Sequence, residues 1–184
     1  MHRMTTREIL AESFRELAEN KLIDKITIRE ITDNCGYSPA TFYRNFKDKY
    51  DLIAWEYSCR IEKIMARAEM CGNNWRQALI EVLHYYQSEK EYLSNLLTHT
   101  SGHDSFIQYM AQINEAALTR FIQELTGQTH MDQKTELLIR LFCIGTVTLG
   151  SEWILGKYNI SAEELAEVCA DSVPVPLRPL LLRE

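Results

Sequence analysis

Proline is almost missing from this chain of 184 residues. There are four, and Pro174, Pro176 and Pro179 crowd the last eleven positions, leaving Pro39 alone in the first 173. Glycine is also scarce, at seven. Proline breaks helix interiors and both residues punctuate turns, so their shortage excludes a loop-rich chain and favours helices joined by short connections. The five cysteines are odd in number and form no C-x-x-C pair, which excludes a disulfide framework and reads as reduced intracellular thiols. The N-terminus lacks the apolar stretch of a signal peptide. The most apolar segment has an uncharged run only from Leu141 to Ser151, short of the ~20 residues that a membrane span needs. A cytoplasmic protein with no membrane partner is expected.

Positive charge is the remaining shortage. The formal net charge is −6, which taken whole argues against a polyanionic partner. The distribution reverses that inference: residues 1 to 60 carry ten Lys+Arg and ten Asp+Glu, net zero, whereas residues 61 to 184 carry ten and sixteen. All of the acidic excess lies in the later part of the chain.

What is present is helical patterning, with no period-two strand signal and no internal repeat. Thr5 or Thr6 caps a first helix on which Ile9, Leu10, Phe14, Leu17 and Ala18 recur at near-helical spacing, ending near Asn20-Lys21. Thr27-Ile28-Arg29-Glu30 is a capping box that opens a short second helix closing at Cys35-Gly36. Ser38-Pro39 opens a third, with Ser as cap and Pro at the first helical position, running to about Phe46. After Lys47-Asp48-Lys49 a longer fourth helix follows, and Asn73-Asn74 caps a fifth from Trp75. Further helices are predicted from Glu89 to Thr98, Ser105 to Thr126, Asp132 to Lys157 and Ala162 to Ser172. About nine helices result: an all-α chain with a small head, residues 1–48, and a helical body, residues 49–184.

Helices two and three with the turn between them form a helix-turn-helix braced by the first helix. Ile9, Phe14, Leu17, Ile28, Ile31, Phe42 and Phe46 would be its core. Such a unit holds one short helix rigidly enough to enter a major groove about 12 Å wide. Its outward face would then offer Ser38, Ala40, Thr41, Tyr43, Arg44 and Asn45 to phosphates, base edges and thymine methyls.

At these residues the chain resembles the TetR family of bacterial transcriptional regulators. The resemblance runs through Thr27-Ile28-Arg29-Glu30-Ile31-Thr32, then Cys35-Gly36-Tyr37-Ser38, then Thr41-Phe42-Tyr43-Arg44-Asn45-Phe46-Lys47-Asp48-Lys49-Tyr50-Asp51-Leu52. It implies that Tyr43 sets its hydroxyl on a phosphate and that Thr27 and Lys49 clamp the backbone. It also implies that Tyr37, Ser38, Pro39, Ala40, Thr41, Arg44 and Asn45 set base preference and docking on a double-stranded DNA operator. Pro39, Arg44 and Asn45 depart from residues common in the family, so no family operator sequence carries over.

In the body, Thr135 to Lys157 is apolar nearly all round and therefore needs cover on every side. A second copy is expected on one of them, through Leu141, Ile144, Gly145, Thr148, Leu149, Leu165 and Val168, with Gly145 and Gly150 letting two helices approach. The resemblance implies the same homodimer, with recognition helices in successive major grooves. Gly145 to Ile154 followed by Ser161-Ala162-Glu163-Glu164-Leu165 also resembles regulators of dihydroxyacetone-kinase operons, a branch in which some members act with a protein coactivator. A small-molecule effector would instead sit among the aromatic and polar side chains of the body, Tyr57, Tyr85, Tyr86, His99, Tyr109 and Trp153, with Trp75, Tyr92 and Phe106 as further candidates. His99-x-x-x-His103-Asp104 has helical metal-ligand spacing, but Gly102 interrupts it and no third ligand is evident. No cofactor is called for. No catalytic constellation is readable, so an enzyme is not expected. The reading is a dimeric repressor released by an effector; an activator or interaction module working through a protein partner is the alternative.

Overall fold

The computed structural model describes residues 4–70, 74–100 and 105–182. Among these there are ten α-helices and no strand: α1 Thr6–Ala18, α2 Ile28–Asn34, α3 Pro39–Asn45, α4 Lys49–Met70, α5 Trp75–Ser88, α6 Lys90–His99, α7 Phe106–Thr126, α8 Gln133–Ile154, α9 Ala162–Asp171 and α10 Arg178–Leu181. Local chemistry sets most of the starts. Thr5 with Glu8, Thr27 with Glu30 and Ser161 with Glu164 each form a complete capping box, satisfying orphan amides in the first turn. Ser38, Asn74 and Asp132 cap α3, α5 and α8 with one side-chain bond each. Two short 3-10 turns, Ile23–Lys25 and Val175–Leu177, and the last helix α10 lie outside the nine-helix expectation. The segment expected to run to Lys157 stops at Ile154, because Gly156 takes φ +84°, which ends the helix.

The helices α1, α2 and α3 pack on one another, and α1 packs on α4. Leu10, Phe14, Ile31, Phe42 and Phe46 are buried there, joined by Ile23 and Ile26 from the turn before α2. Full burial of each such side chain contributes about 1.5–3 kcal/mol. Ile9, Leu17 and Ile28, expected in this core, are only partly buried.

α4 leaves the head and enters the body, where it packs against α5 and α7, while α7 packs on α8 and α5 on α9. By length and composition α8 passes as a membrane-spanning helix. Here its inward face, including Ile139, Phe142, Cys143 and Val147, is buried against α7 and α5, the setting of a core helix. α6 sits on the head, against α1 and the Ile23–Lys25 turn.

Candidate nucleic-acid interface, effector cavity and subunit face

The presented surface of α3 starts from its caps. Ser38 Oγ accepts from the Thr41 amide at 3.2 Å and lies 3.1 Å from Thr41 Oγ1, to which Arg44 donates at 3.1 Å. Ser38, Thr41 and Arg44 thus form one linked row at i, i+3 and i+6. Asn45 uses one amide hydrogen on the Thr41 carbonyl, at 2.8 Å. Ser38, Pro39, Ala40, Tyr43 and Arg44 are exposed, Thr41 and Asn45 half-buried, and Tyr37 is half-buried against the core. Tyr43 is 60% exposed, its ring edge-on to Phe42 and its hydroxyl without a hydrogen-bond partner among the described residues. A large side chain standing in solvent on a rigid helix has the geometry of a phosphate or base contact.

Two expected backbone clamps are otherwise engaged. Lys49 Nζ donates to the carbonyls of Ile23, Asp24 and Ile26 at 2.8, 3.1 and 2.9 Å, which uses all three ammonium hydrogens. Its partial burial lowers the ammonium pKa, opposed by nearby Asp24. Thr27 donates both its amide and its hydroxyl to Glu30. Neither side chain therefore has a donor left for phosphate. The α4 amides of Tyr50 and Asp51 are likewise capped by Asp48 Oδ1, at 2.9 and 2.8 Å. Arg44 on α3 and Lys47 just after it are exposed cations.

Residues that the sequence reading missed hold this surface in place. Arg7 donates to the Asn45 carbonyl at the end of α3, at 2.9 Å, with its guanidinium 4.7 Å from the Phe46 ring and 5.3 Å from that of Trp55. A cation in the first turn of α1 works against the helix dipole, and that was the available signal of a partner elsewhere. Asn95 of α6 accepts from the Ile23 amide and donates to the carbonyls of Ala18 and Lys21, tying the body to the head. Arg15 joins the two through Glu56 of α4, at 2.6 Å, and through Glu89, while Tyr92 donates to Glu56 at 2.7 Å. Burial pushes the Glu56 carboxyl pKa up, with the Arg15 charge opposing it.

The body holds a partly open cavity of about 50 Å³ between α4, α5, α7, α8 and α9. Of the six primary effector candidates only Tyr86 lines it, with Trp75 from the wider set. Tyr57 is core: it is fully buried, with its hydroxyl 2.8 Å from that of Tyr86 and donating to Asn114 at 3.0 Å. Tyr85 is partly buried with its ring 5.9 Å from that of Tyr86 and the Arg60 guanidinium 5.2 Å away. Trp153 donates to the Ile160 carbonyl at 2.8 Å and secures the loop after α8. His99 ends α6, and Tyr109 lies in the first turn of α7, neither lining the cavity. His103 and Asp104, the rest of the metal-spacing motif, lie outside the described residues. Cys143 and Cys169 do line the cavity, and burial pushes their thiols up to about 12 and about 11, keeping both neutral.

On the outside of α8, Leu137, Leu141, Ile144 and Gly145 are exposed in a row at i, i+4, i+7 and i+8, with Thr148 half-buried next in line. Val168 of α9 is 50% exposed. Leu165 departs from expectation: it is buried on the α9 face that packs against α5. Leu149 is partly buried against the core of its own chain. Gly150 is not at this surface either. A Cβ there would lie 2.9 Å from Tyr86 Cε2, so this glycine admits the Tyr86 ring to the α8 backbone.

Two family profiles match the sequence: residues 9–54 match one described as bacterial regulatory proteins, tetR family, and residues 73–173 one described as a transcriptional regulator C-terminal region. The chain belongs to the TetR family. It is a transcriptional regulator with an N-terminal helix-turn-helix DNA-binding domain and a helical C-terminal domain. No curated protein sequence matches it significantly. Solved structures share the fold of this TetR-family regulator. The dihydroxyacetone kinase operon activator DhaS is 16% identical, with TM-score 0.62, over 93% of this chain and 95% of that one. Thermus thermophilus FadR, a repressor in complex with lauroyl-CoA, is 17% identical, with TM-score 0.64, over 97% and 96%. The repressor AlkX from a Dietzia strain is 14% identical, with TM-score 0.53, over 99% and 98%.

Proposed function

We propose that this TetR-family regulator acts in the cytoplasm as a homodimeric repressor. Its two α3 helices read one operator, and an effector in the body cavity resets their spacing. The observation that carries DNA reading is the exposed face of α3, where Tyr43, Arg44 and the Ser38–Thr41 row stand out from a helix fixed at both ends by Ser38 and Arg7. Tyr43 and Arg44, with Lys47, take phosphates; Ser38, Pro39, Ala40, Thr41 and Asn45 approach the bases, and Tyr37 sets docking. Head and body divide near residue 48, where Asp48 caps α4. The exposed α8 row with Val168 of α9 meets the same surface of a second copy, since an uncovered apolar stripe of this kind favours association.

Coupling runs through α4, which carries Ile61 and Met65 on the cavity wall and Glu56 on the Arg15 bridge to α1. An effector shifts the heads only by binding one spacing better than the other. The family fold serves an activator, DhaS, as well as repressors, so direction is read from where the operator lies relative to the promoter. Selection from a pool of random duplex DNA tests the proposal. Enrichment of a two-fold symmetric site with half-sites about 34 Å apart supports it; recovery of no common sequence contradicts it.

A further inference from the structure

Resting on the effector reading of the body cavity, we infer that its ligand is a small neutral molecule, mostly hydrocarbon, carrying a hydrogen-bond acceptor for the Trp75 indole N–H. Among the described residues the lining contains no Asp, Glu, Lys, Arg or His. A carboxylate or an amine entering it would lose its hydration without a counter-charge, a cost that excludes charged groups from the cavity. The polar atoms present are mostly engaged. Tyr86 pairs with Tyr57, and Thr146 Oγ1 donates to the Phe142 carbonyl at 3.0 Å. Trp75 differs: it is 7% exposed, lines the cavity, and its Nε1 is buried with no hydrogen-bond partner among the described residues. Its ring is fixed between Phe121 and Phe142, at centroid distances of 5.9 and 6.4 Å. A buried donor left unmade is costly, and an acceptor on the ligand removes that cost.

At about 50 Å³ the space is well below the ~150 Å³ that admits benzene, so a short ketone, ester or lactone enters only as side chains of the wall move apart. The wall toward solvent is thin on the α4–α7 side, where Ile61, Met65 and Ala117 border both the cavity and shallow outer grooves. Arg120 lies in those grooves, 3.8 Å from Glu62. Among the described residues it is the one cation lining those grooves, and an anionic ligand would have to use it from outside.

The test titrates the full-length protein with cyclohexanone, methylcyclohexane and hexanoate, following the Trp75 indole proton by NMR and measuring each dissociation constant for wild type and Trp75→Phe. Cyclohexanone is expected to move the Trp75 resonance downfield, and methylcyclohexane to bind without that shift. Trp75→Phe should weaken cyclohexanone about 5–10-fold and leave methylcyclohexane unchanged. The wild-type resonance decides the matter if the variant folds poorly. Binding of hexanoate in preference to both neutral probes overturns the ligand class while leaving the cavity as an effector site. Binding of none of the three overturns the inference outright. Cyclohexanone that binds with the indole shift yet leaves operator affinity unchanged supports the ligand class and sinks the effector reading instead.

Discussion

Lys49 donates every ammonium hydrogen to the carbonyls of the turn before α2, which holds that turn and the start of α4 together. Lys49→Met keeps most of the stem and removes the donors. It is expected to destabilise the fold by about 1 kcal/mol, as two part-buried carbonyls and one exposed one lose their donor. The salt dependence of operator binding, measured well below the melting temperature, should keep its slope; a slope reduced by about 1 would instead show a phosphate contact. Glu30 makes a related point about charge. Its bond to Lys21, with those to Thr27, holds the carboxyl down to about 2 from an ordinary 4.5. A depressed carboxylate pKa stabilises the fold above the ordinary value and loses that contribution as pH falls through the folded one. Acid unfolding should therefore begin below about pH 4.5, and Glu30→Gln should flatten stability between pH 4.5 and 2, as read by denaturant titration at several pH values. Such roles were only half visible beforehand. The capping box at Thr27 and Glu30 is a local spacing and was legible, but the carbonyls that capture Lys49 come from more than twenty residues away.

At the scale of elements, α8 carries two glycines with opposite environments. Gly150 lies under the Tyr86 ring, and Tyr86 is fully buried and tied to Tyr57, so it has little room to retreat. Gly150→Ala is expected to cost about 1–3 kcal/mol through overpacking. At Gly145 a Cβ meets nothing within 4 Å in the chain, so in the monomeric Leu141→Glu background, where no partner covers it, Gly145→Ala should stabilise the fold by about 0.5–1 kcal/mol. Thermal unfolding of the two variants checks the contrast, and equal effects would contradict it. From the sequence both looked like sites of close helix approach, because a glycine in an apolar helix does not say which neighbour needs the room. α9 posed the same difficulty. Its capping box gave the start, yet Leu165 and Val168 are equally apolar, and only the packing of α9 on α5 turns Leu165 inward. Aromatic content marked the body core, but a fully packed tyrosine such as Tyr57 and a cavity-lining one such as Tyr86 look alike in a sequence. The helix-turn-helix was legible because its caps, its glycine turn and its Phe42–Phe46 spacing are all local.

For the whole molecule, an acidic body and a charge-neutral head divide two tasks. The proposed subunit face is the outer side of α8, with Leu141 69% exposed at its centre. Leu141→Glu places like charges against each other across the two-fold axis and should yield monomers in sedimentation at micromolar concentration, with helical content unchanged; a persisting dimer would remove this face from the interface. Arg15 and Asn95 tie the body to the head, and they are the contacts through which the proposed coupling would run. The account as a whole stands on α3 touching DNA through a side chain that stands mostly in solvent, with only its ring edge on Phe42, and Tyr43 is that side chain. The most direct measurement is the operator affinity of Tyr43→Ala beside wild type, with the dimer verified in the same sample. Two lost phosphate bonds per dimer, at about 1.5–3 kcal/mol each, predict a loss of about 100-fold or more. Unchanged affinity in an intact dimer would contradict the account.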